Sequence, residues 1–247
     1  MVLCVLFISF VGNTFAEETK VKFAIGEWEP YTGKDMDRSG MAAEIVRAAC
    51  NATGLQATFE FLPWKRAENQ VMTGNYFGTF PYKEMVERMA DYKFSTTLFT
   101  SSFGVLIHKN NARTKDFQFQ KPEDLLSYTI GIVTGTDAIR TPLEEIGVQV
   151  EDVPTSSQNI KKLEVGRIDF YIDDKAVIFQ ALRRIYNAEQ MAGFVFLEGD
   201  FGDKNDFKIM ISKKYPQNDV LLEKINDGIN KIIESGEHKA ILTEYGL

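Results

Sequence analysis

Short apolar runs alternate with amphipathic helical patterns along most of the chain. The runs are four to six residues long and rich in β-branched and aromatic residues, which is typical of strands. Between them, apolar residues recur at three- and four-residue spacing, as in 41–50 and 221–233, which is typical of helices. Strands that alternate with helices predict an α/β fold with mostly parallel sheets. The predicted strands are residues 21–25, 57–62, 103–107, 129–133, 168–172, 194–197 and 207–211.

Two polar stretches interrupt this alternation, Lys109–Lys115 near the middle and Gly199–Asp206 late in the chain. Polar stretches between periodic segments are typical of loops and connections. Two such breaks are places where the chain can pass from one structural unit to another, and their spacing alone does not fix the topology.

The first sixteen residues carry no charged side chain, and Val2–Val11 is an apolar run too short to span a bilayer. A stretch that ends in Ala16 follows it, and Glu17 opens the next segment, a pattern typical of a secretory signal peptide cleaved after Ala16. The usual positive charges before the apolar run are absent, and an N-terminal core strand is the alternative. We predict that residues 1–16 are a signal peptide.

Charge and composition narrow the classes of function. The formal net charge is −7 and the pI is about 5.1, so we expect no attraction to nucleic acid. Cys4 lies in the predicted signal peptide, which leaves Cys50 as a buried thiol rather than half of a disulfide. His108 and His238 have no Cys or His at metal-ligand spacing, and we expect no metal site and no cofactor.

Aromatic and cationic side chains follow the first predicted strands. Trp28 lies where ligands bind in open α/β sheets, and its ring can form a flat wall or cap the core. Trp64 is followed by Lys65, a cation that opposes the dipole at a helix start. Arg88 can present a planar fork to a carboxylate, or pair on the surface with Glu84.

Two later segments place polar groups at strand ends. Gly135 and Thr136 open a helix, where backbone N–H groups bind anions, although Thr136 as a helix cap is the alternative. The glycines of a Walker or dinucleotide motif are absent from this segment. Another strand runs out to Asp173 and Asp174, and Asp174 can receive a ligand ammonium group. Because side chains alternate along a strand, only one of the two acids faces a cleft.

In their order and spacing, these segments resemble the family-3 extracellular solute-binding proteins, the polar amino-acid-binding components of ABC importers. The resemblance covers about residues 20–247 and includes Glu87–Arg88 before Phe94–Ser95, and Gly236 and Tyr245 near the end. It implies an α/β, two-lobed periplasmic binding protein fold of type II, with two crossover strands and the ligand cleft between the lobes.

The resemblance also implies the bounds of the lobes. Residues 17–104 together with 207–247 are expected to form lobe 1, and residues 105–206 to form lobe 2. The ligand is then expected to touch both lobes and to hold them closed.

Each candidate residue has a counterpart in the family. Trp28 matches the aromatic residue that stacks on the ligand, and Trp64 matches an apolar side wall. Arg88 matches the arginine that grips the ligand α-carboxylate, and Thr136 matches a hydroxyl and backbone donor to the same carboxylate. Asp174 matches the acid that takes the α-amino group. These roles are what the resemblance implies for this chain.

Several positions depart from the family pattern, and Phe80–Tyr82 replaces a segment of small residues. Lys83 stands where a small or hydroxyl residue is usual, Asp137 where a hydroxyl residue is frequent, and Phe77 where an acid is common. We include Lys83 among the ligand-binding residues. A cleft with Lys83 and two tryptophans favours an acidic or aromatic ligand.

The function that follows is capture of a small polar solute, an amino acid or a related carboxylate, for an ABC permease in the membrane. We expect a monomeric, periplasmic protein that is not an enzyme. One alternative is a soluble sensor that presents its ligand to a receptor. Another is an enzyme similar to cyclohexadienyl dehydratase, in which Lys83 or Glu29 would move a proton.

Overall fold

The structure is a computed structural model that describes residues 19–198 and 205–245. The predicted signal peptide, residues 1–16, lies outside the described residues. In the described part of the chain, no helix combines the length and the apolar character needed to cross a membrane.

Eleven strands in the described residues form two sheets. The strands are β1 (Thr19–Ile25), β2 (Leu55–Phe61), β3 (Gly78–Lys83), β4 (Tyr92–Phe94), β5 (Phe99–Ser101), β6 (Phe103–His108), β7 (Thr129–Val133), β8 (Gln149–Val153), β9 (Phe170–Asp174), β10 (Phe194–Glu198) and β11 (Asn205–Ser212).

Helices cover both sheets. They are α1 (Met41–Asn51), α2 (Trp64–Met72), α3 (Asp137–Glu145), α4 (Ser156–Glu164), α5 (Lys175–Ile185), α6 (Ala188–Met191), α7 (Asn218–Glu234) and α8 (Glu237–Glu244). Short 3₁₀ turns are formed by Asp37–Ser39, Val86–Arg88 and Pro122–Leu125.

Each sheet with its helices forms one lobe. The first sheet has the order β2-β1-β3-β11-β4, with β5 paired to β11, and packs against α1, α2 and α7. The second sheet has the order β10-β6-β9-β7-β8 and packs against α3, α4 and α5. We call these lobe 1 and lobe 2. The residue bounds predicted for them, 17–104 with 207–247 and 105–206, stay a prediction.

Both sheets are mixed, and the expectation of mostly parallel pairing is wrong. In lobe 1, β1 is parallel to β2 and β3, whereas β11 is antiparallel to β3, β4 and β5. In lobe 2, β7 is parallel to β8 and β9, whereas β6 is antiparallel to β9 and β10. Parallel pairing needs a crossover connection. A helix between two consecutive strands of one sheet makes them parallel. Strands β6 and β11 instead follow strands of the other sheet, so this rule does not fix their direction.

The helix predicted near the start of lobe 1 is confirmed as α1. One face of α1 lies under the sheet and against α7. Burial raises the pKa of the Cys50 thiol to about 12, as expected for a core cysteine. The apolar residues that predicted this helix are all fully buried, namely Met41, Ala42, Ile45, Val46, Ala49 and Cys50.

Close packing of α1 against α7 requires a glycine at position 228. A Cβ atom at Gly228 would lie 2.0 Å from the carbonyl oxygen of Ala49. That carbonyl belongs to the helix backbone and cannot move aside as a flexible side chain would. The two helices therefore approach each other at a point where only glycine fits.

We expect Gly228→Ala to lower the free energy of unfolding by about 1–3 kcal/mol, because the added methyl group forces the two helices apart. Asn230→Ala is the matched control, since Asn230 is exposed on the same helix. The control is expected to stay within about 0.5 kcal/mol of the wild type. Urea unfolding followed by circular dichroism measures both. A Gly228→Ala protein as stable as the control would contradict this packing.

Candidate functional site

Loops and helix starts at the ends of strands from both lobes meet in one cleft. Trp28 follows β1, and Trp64 begins α2 shortly after β2. Lys83 ends β3, and Arg88 ends the 3₁₀ turn after it. From lobe 2, Thr136 lies between β7 and α3. These five predicted site residues line one cavity of about 60 Å³ between the lobes.

Arg88 is held in place by lobe 1. Its side chain is only 11% exposed, and its guanidinium carbon lies 4.8 Å from the centre of the Tyr82 ring. One guanidinium nitrogen, Nη1, donates to the carbonyl oxygen of Lys83 at 3.4 Å. The carboxylate that Arg88 meets in the described structure is that of Asp137, and Glu84 is paired with Lys208 instead. The guanidinium therefore lies in the cleft.

Trp64 lies across the end of β1 and reaches lobe 2. A Cβ atom at Gly26 would lie 2.3 Å from the indole ring, so only glycine lets the ring pack flat there. Its Nε1 donates to the carbonyl oxygen of Glu27 at 3.3 Å, and its ring meets the edge of Tyr82. On the opposite side, a Cβ at Gly135 would lie 3.1 Å from the Trp64 Cβ. Trp64 is thus a wall shared by both lobes.

Trp28 serves as both a wall and a core residue. Its ring packs against Tyr31 and Phe207, with centroids 4.6 and 5.1 Å away. The indole Nε1 donates to Oδ1 of Asp173 in lobe 2 at 3.2 Å. Trp28 also lines both the Arg88 cavity and a second cavity described below. One interpretation does not exclude the other: Trp28 packs on the core of lobe 1 and also lines the cleft.

Lys83 and Thr136 complete the lining of the cavity. The Lys83 Nζ donates to Oδ1 of Asn205 at 2.9 Å, which ties the end of β3 to the start of β11. The side chain of Thr136 makes no capping hydrogen bond to α3, although its residue occupies the cap position. The Thr136 hydroxyl is therefore not used by the helix itself.

Asp174 is the one predicted site residue that does not line the Arg88 cavity. Its Oδ1 accepts hydrogen bonds from the Tyr31 hydroxyl at 2.7 Å and from the backbone N–H groups of Ala176 and Val177 at 2.8 and 3.4 Å. Asp174 therefore caps α5 and links it to lobe 1. It lines a separate cavity of about 650 Å³ together with Tyr31 and Ser101. Its role toward an ammonium group stays a prediction.

Asp173, rather than Asp174, contacts a tryptophan of the cleft. Besides the Trp28 indole, its carboxylate accepts the Tyr171 hydroxyl at 2.6 Å and the backbone N–H of Asp174 at 2.8 Å. Burial raises the pKa of Asp173 to about 7, against the lowering effect of these donors. Sequence alternation indicated that the two acids point in different directions, but it could not choose between them.

Trp28 also lines a second cavity of about 220 Å³, which sequence reasoning missed. Glu29 of lobe 1 meets Arg184 of lobe 2 there, with Oε1 and Nη1 2.7 Å apart. The other carboxylate oxygen of Glu29 is buried without a hydrogen-bond partner in the described structure. Burial raises the pKa of Glu29 although Arg184 opposes this. The remaining polar lining includes Glu27, Thr155, Ser156, Ser157 and Gln180.

A carboxylate of lobe 2 faces two cations of lobe 1. Asp137, the first residue of α3, places its Oδ2 3.1 Å from Lys65 Nζ and 3.5 Å from Arg88 Nη2. The sequence marked Asp137 only as a residue that departs from the family pattern. It did not predict the contacts, because Lys65 and Arg88 lie 72 and 49 positions earlier in the chain. Only the closed arrangement of the lobes reveals the contact.

The chemistry of the cleft suits a carboxylate or a zwitterion. Arg88 and Lys83 provide cations on lobe 1, and the start of α3 faces them from lobe 2. Within residues 19–198 and 205–245, no cluster of three or more His, Cys, Asp or Glu side chains could hold a metal ion.

The sequence matches a known family over almost its whole length. The family model of the bacterial extracellular solute-binding proteins, family 3, matches residues 21–247. The chain belongs to this family. A search of curated proteins gave no match for this solute-binding protein.

Solved structures similar to this solute-binding protein show the same two-lobed fold. An ancestral arginine-binding protein bound to arginine has a TM-score of 0.76 at 19% identity, covering 92% of this chain and 98% of that one. A histidine kinase sensor domain with similarity to periplasmic binding proteins has a TM-score of 0.78 at 14% identity, covering 93% and 97%. An ancestral amino-acid-binding protein, a precursor of cyclohexadienyl dehydratase, has a TM-score of 0.71 at 16% identity, covering 92% and 95%.

The raised pKa of Asp173 predicts how the solute-binding protein responds to pH. Above about pH 4 the unfolded chain has released this proton, whereas the folded protein keeps it until about pH 7. Its contribution to stability is therefore full at low pH and is lost as the pH rises through about 7.

We expect the wild type to lose about 2–3 kcal/mol of stability relative to Asp173→Asn between about pH 5 and pH 8. Asparagine keeps an acceptor for the Trp28 indole and has no proton to lose in this range. Urea unfolding of both proteins at the two pH values measures the difference. Parallel pH dependence of the two stabilities would contradict a carboxyl group with a raised pKa at this position.

Proposed function

We propose that the protein is an exported solute-binding protein that captures an amino acid or a related carboxylate and delivers it to an ABC importer. The observation that carries the proposal is the position of Arg88, a mostly buried arginine of lobe 1 that faces the start of α3 in lobe 2. Buried arginines need a carboxylate or similar partner, because the guanidinium stays charged. Membership of the family supports a binding role.

The lobes must separate before a ligand enters. The Arg88 cavity, about 60 Å³, is far below the usual size of about 300–1,000 Å³ for ligand pockets. Several contacts cross between the lobes, including those of Trp28 with Asp173 and Tyr31 with Asp174. A ligand that contacts both lobes shifts an open–closed equilibrium by its extra contacts in the closed state.

The cleft offers complementary groups for each part of an amino acid. Arg88 and the Thr136 hydroxyl suit the α-carboxylate, and the Trp28 and Trp64 rings suit an apolar or cationic side chain. The second cavity, with the unpaired oxygen of Glu29, offers room and an acceptor beyond Trp28. The acceptor for the α-amino group is Asp174 in the family pattern. Opening of the lobes would move Asp174 away from Tyr31 and leave its carboxylate able to accept a hydrogen bond from the ligand.

Arg88→Ala is expected to weaken ligand binding at least about tenfold, since a charge-assisted hydrogen bond contributes about 1.5–3 kcal/mol. The ligand is first found by a thermal-shift screen against the standard amino acids, dicarboxylates and polyamines, because a ligand of the folded state raises the melting temperature. Isothermal titration calorimetry then measures its affinity.

Arg66→Ala is the matched control, since Arg66 is an exposed arginine of lobe 1 that lines neither cavity of the cleft. It is expected to bind like the wild type. Unchanged affinity of Arg88→Ala would exclude Arg88 as the anchor. A screen in which no α-amino acid or carboxylate raises the melting temperature would count against the proposed ligand class.

A soluble sensor is the second candidate, favoured by the similarity to a histidine kinase sensor domain. Transport and sensing differ in the partner that the loaded protein activates. Stimulation of the ATPase activity of a reconstituted ABC permease supports transport, whereas stimulation of a receptor kinase supports sensing. We expect arogenate and prephenate to remain unchanged on incubation with the protein, which distinguishes it from a dehydratase.

A further inference from the structure

The proposed carboxylate anchor is already in contact with a carboxylate of the protein itself. Oδ2 of Asp137 lies 3.5 Å from Arg88 Nη2 and 3.1 Å from Lys65 Nζ. The cations belong to lobe 1 and the carboxylate to lobe 2, so this contact exists only while the lobes are closed. It uses the guanidinium that a ligand would need.

The surroundings of Arg88 and Asp137 strengthen this ion pair. Arg88 is 11% exposed and Asp137 is 28% exposed, so the pair is more shielded from water than most surface ion pairs. Charges that are partly removed from water attract more strongly. Asp137 begins α3, where the helix dipole also stabilises a negative charge. Its carboxylate is therefore attracted both by the cations of lobe 1 and by the start of its own helix.

A second nitrogen of Arg88 is also bonded within lobe 1. Nη1 donates to the Lys83 carbonyl, and the guanidinium carbon lies 4.8 Å from the centre of the Tyr82 ring. A ligand carboxylate that makes two parallel hydrogen bonds with Arg88 needs both free nitrogens on one edge. Binding in that way must displace Asp137.

We propose that Asp137 is an internal competitor that occupies Arg88 in the ligand-free protein and holds the empty lobes together. This inference rests on the proposed function, because it takes Arg88 as the ligand anchor. A ligand carboxylate then exchanges with the Asp137 carboxylate instead of entering a free site. The exchange lowers the apparent affinity, because only the fraction of molecules with Arg88 released can bind. Asp137 thereby sets which carboxylates bind strongly enough to be captured.

The test compares the wild type with Asp137→Asn. Asparagine keeps the size and an acceptor oxygen but removes the charge that attracts Arg88 and Lys65. Asp152→Asn is the matched control, because it removes one negative charge and an ion pair within lobe 2, where Asp152 lies 3.0 Å from Arg140. Circular dichroism verifies that all three proteins are folded.

The ligand-free proteins are measured first. The chain has two tryptophans, Trp28 and Trp64, and both line the cleft, so tryptophan emission reports on the cleft directly. For Asp137→Asn we expect emission at longer wavelength and a larger radius of gyration in small-angle X-ray scattering, because the lobes open. The wild type and Asp152→Asn are expected to be alike and more compact.

The affinity for the ligand found in the thermal-shift screen is measured second. We expect Asp137→Asn to bind a carboxylate ligand about three- to tenfold more tightly than the wild type, with Asp152→Asn unchanged. Equal or weaker binding by Asp137→Asn would overturn the competitor role while leaving the proposed function intact. If no ligand binds any of the proteins, the proposed function fails. The emission and scattering of the ligand-free proteins then decide whether Asp137 holds the lobes together.

Discussion

A mostly buried arginine at the junction of two lobes is the constraint on which the rest of the cleft depends. A guanidinium cannot lose its charge, and a charge away from water must be paired. Glu84 of the same lobe is bound to Lys208, and the carboxylate that meets Arg88 comes from Asp137 across the cleft. The need to pair one cation therefore couples the two lobes. Any carboxylate that takes the place of Asp137 takes over that coupling.

The walls of the cleft follow from glycine and tryptophan together. Trp64 packs flat on Gly26 of its own lobe and against Gly135 of the other, and a side chain at either glycine would push it away. Trp28 is fixed by aromatic contacts in lobe 1 and by its hydrogen bond to Asp173 in lobe 2. Both tryptophans thus touch both lobes, and opening of the cleft must change the surroundings of each.

Proteins with this fold have different functions, so the fold alone does not identify the function. Similar structures include an arginine-binding protein, a sensor domain and an amino-acid-binding precursor of an enzyme. Function depends on the side chains that the fold brings into the cleft. Here these are an arginine, two tryptophans and carboxylates on both faces. Glu29 and Arg184 add a second charged pair, in the other cavity that Trp28 lines.

The sequence by itself determined the local elements and which loops carry the site. The apolar spacing in α1 predicted its buried face, and Trp28, Trp64 and Thr136 line one cavity because each follows a strand that the pattern identified. Lys83 and Arg88 line the same cavity from β3 and the turn after it, which the pattern did not identify. Strands β3, β4, β5 and β8 were not predicted, since β3 contains Pro81, β4 and β5 have three residues each, and β8 is largely polar. Tertiary structure alone decided the mixed sheets, the contact of Asp173 with Trp28, and the contact of Asp137 with Arg88. Each of these joins residues from distant parts of the chain, and which carboxylate meets which cation depends on how the two lobes close.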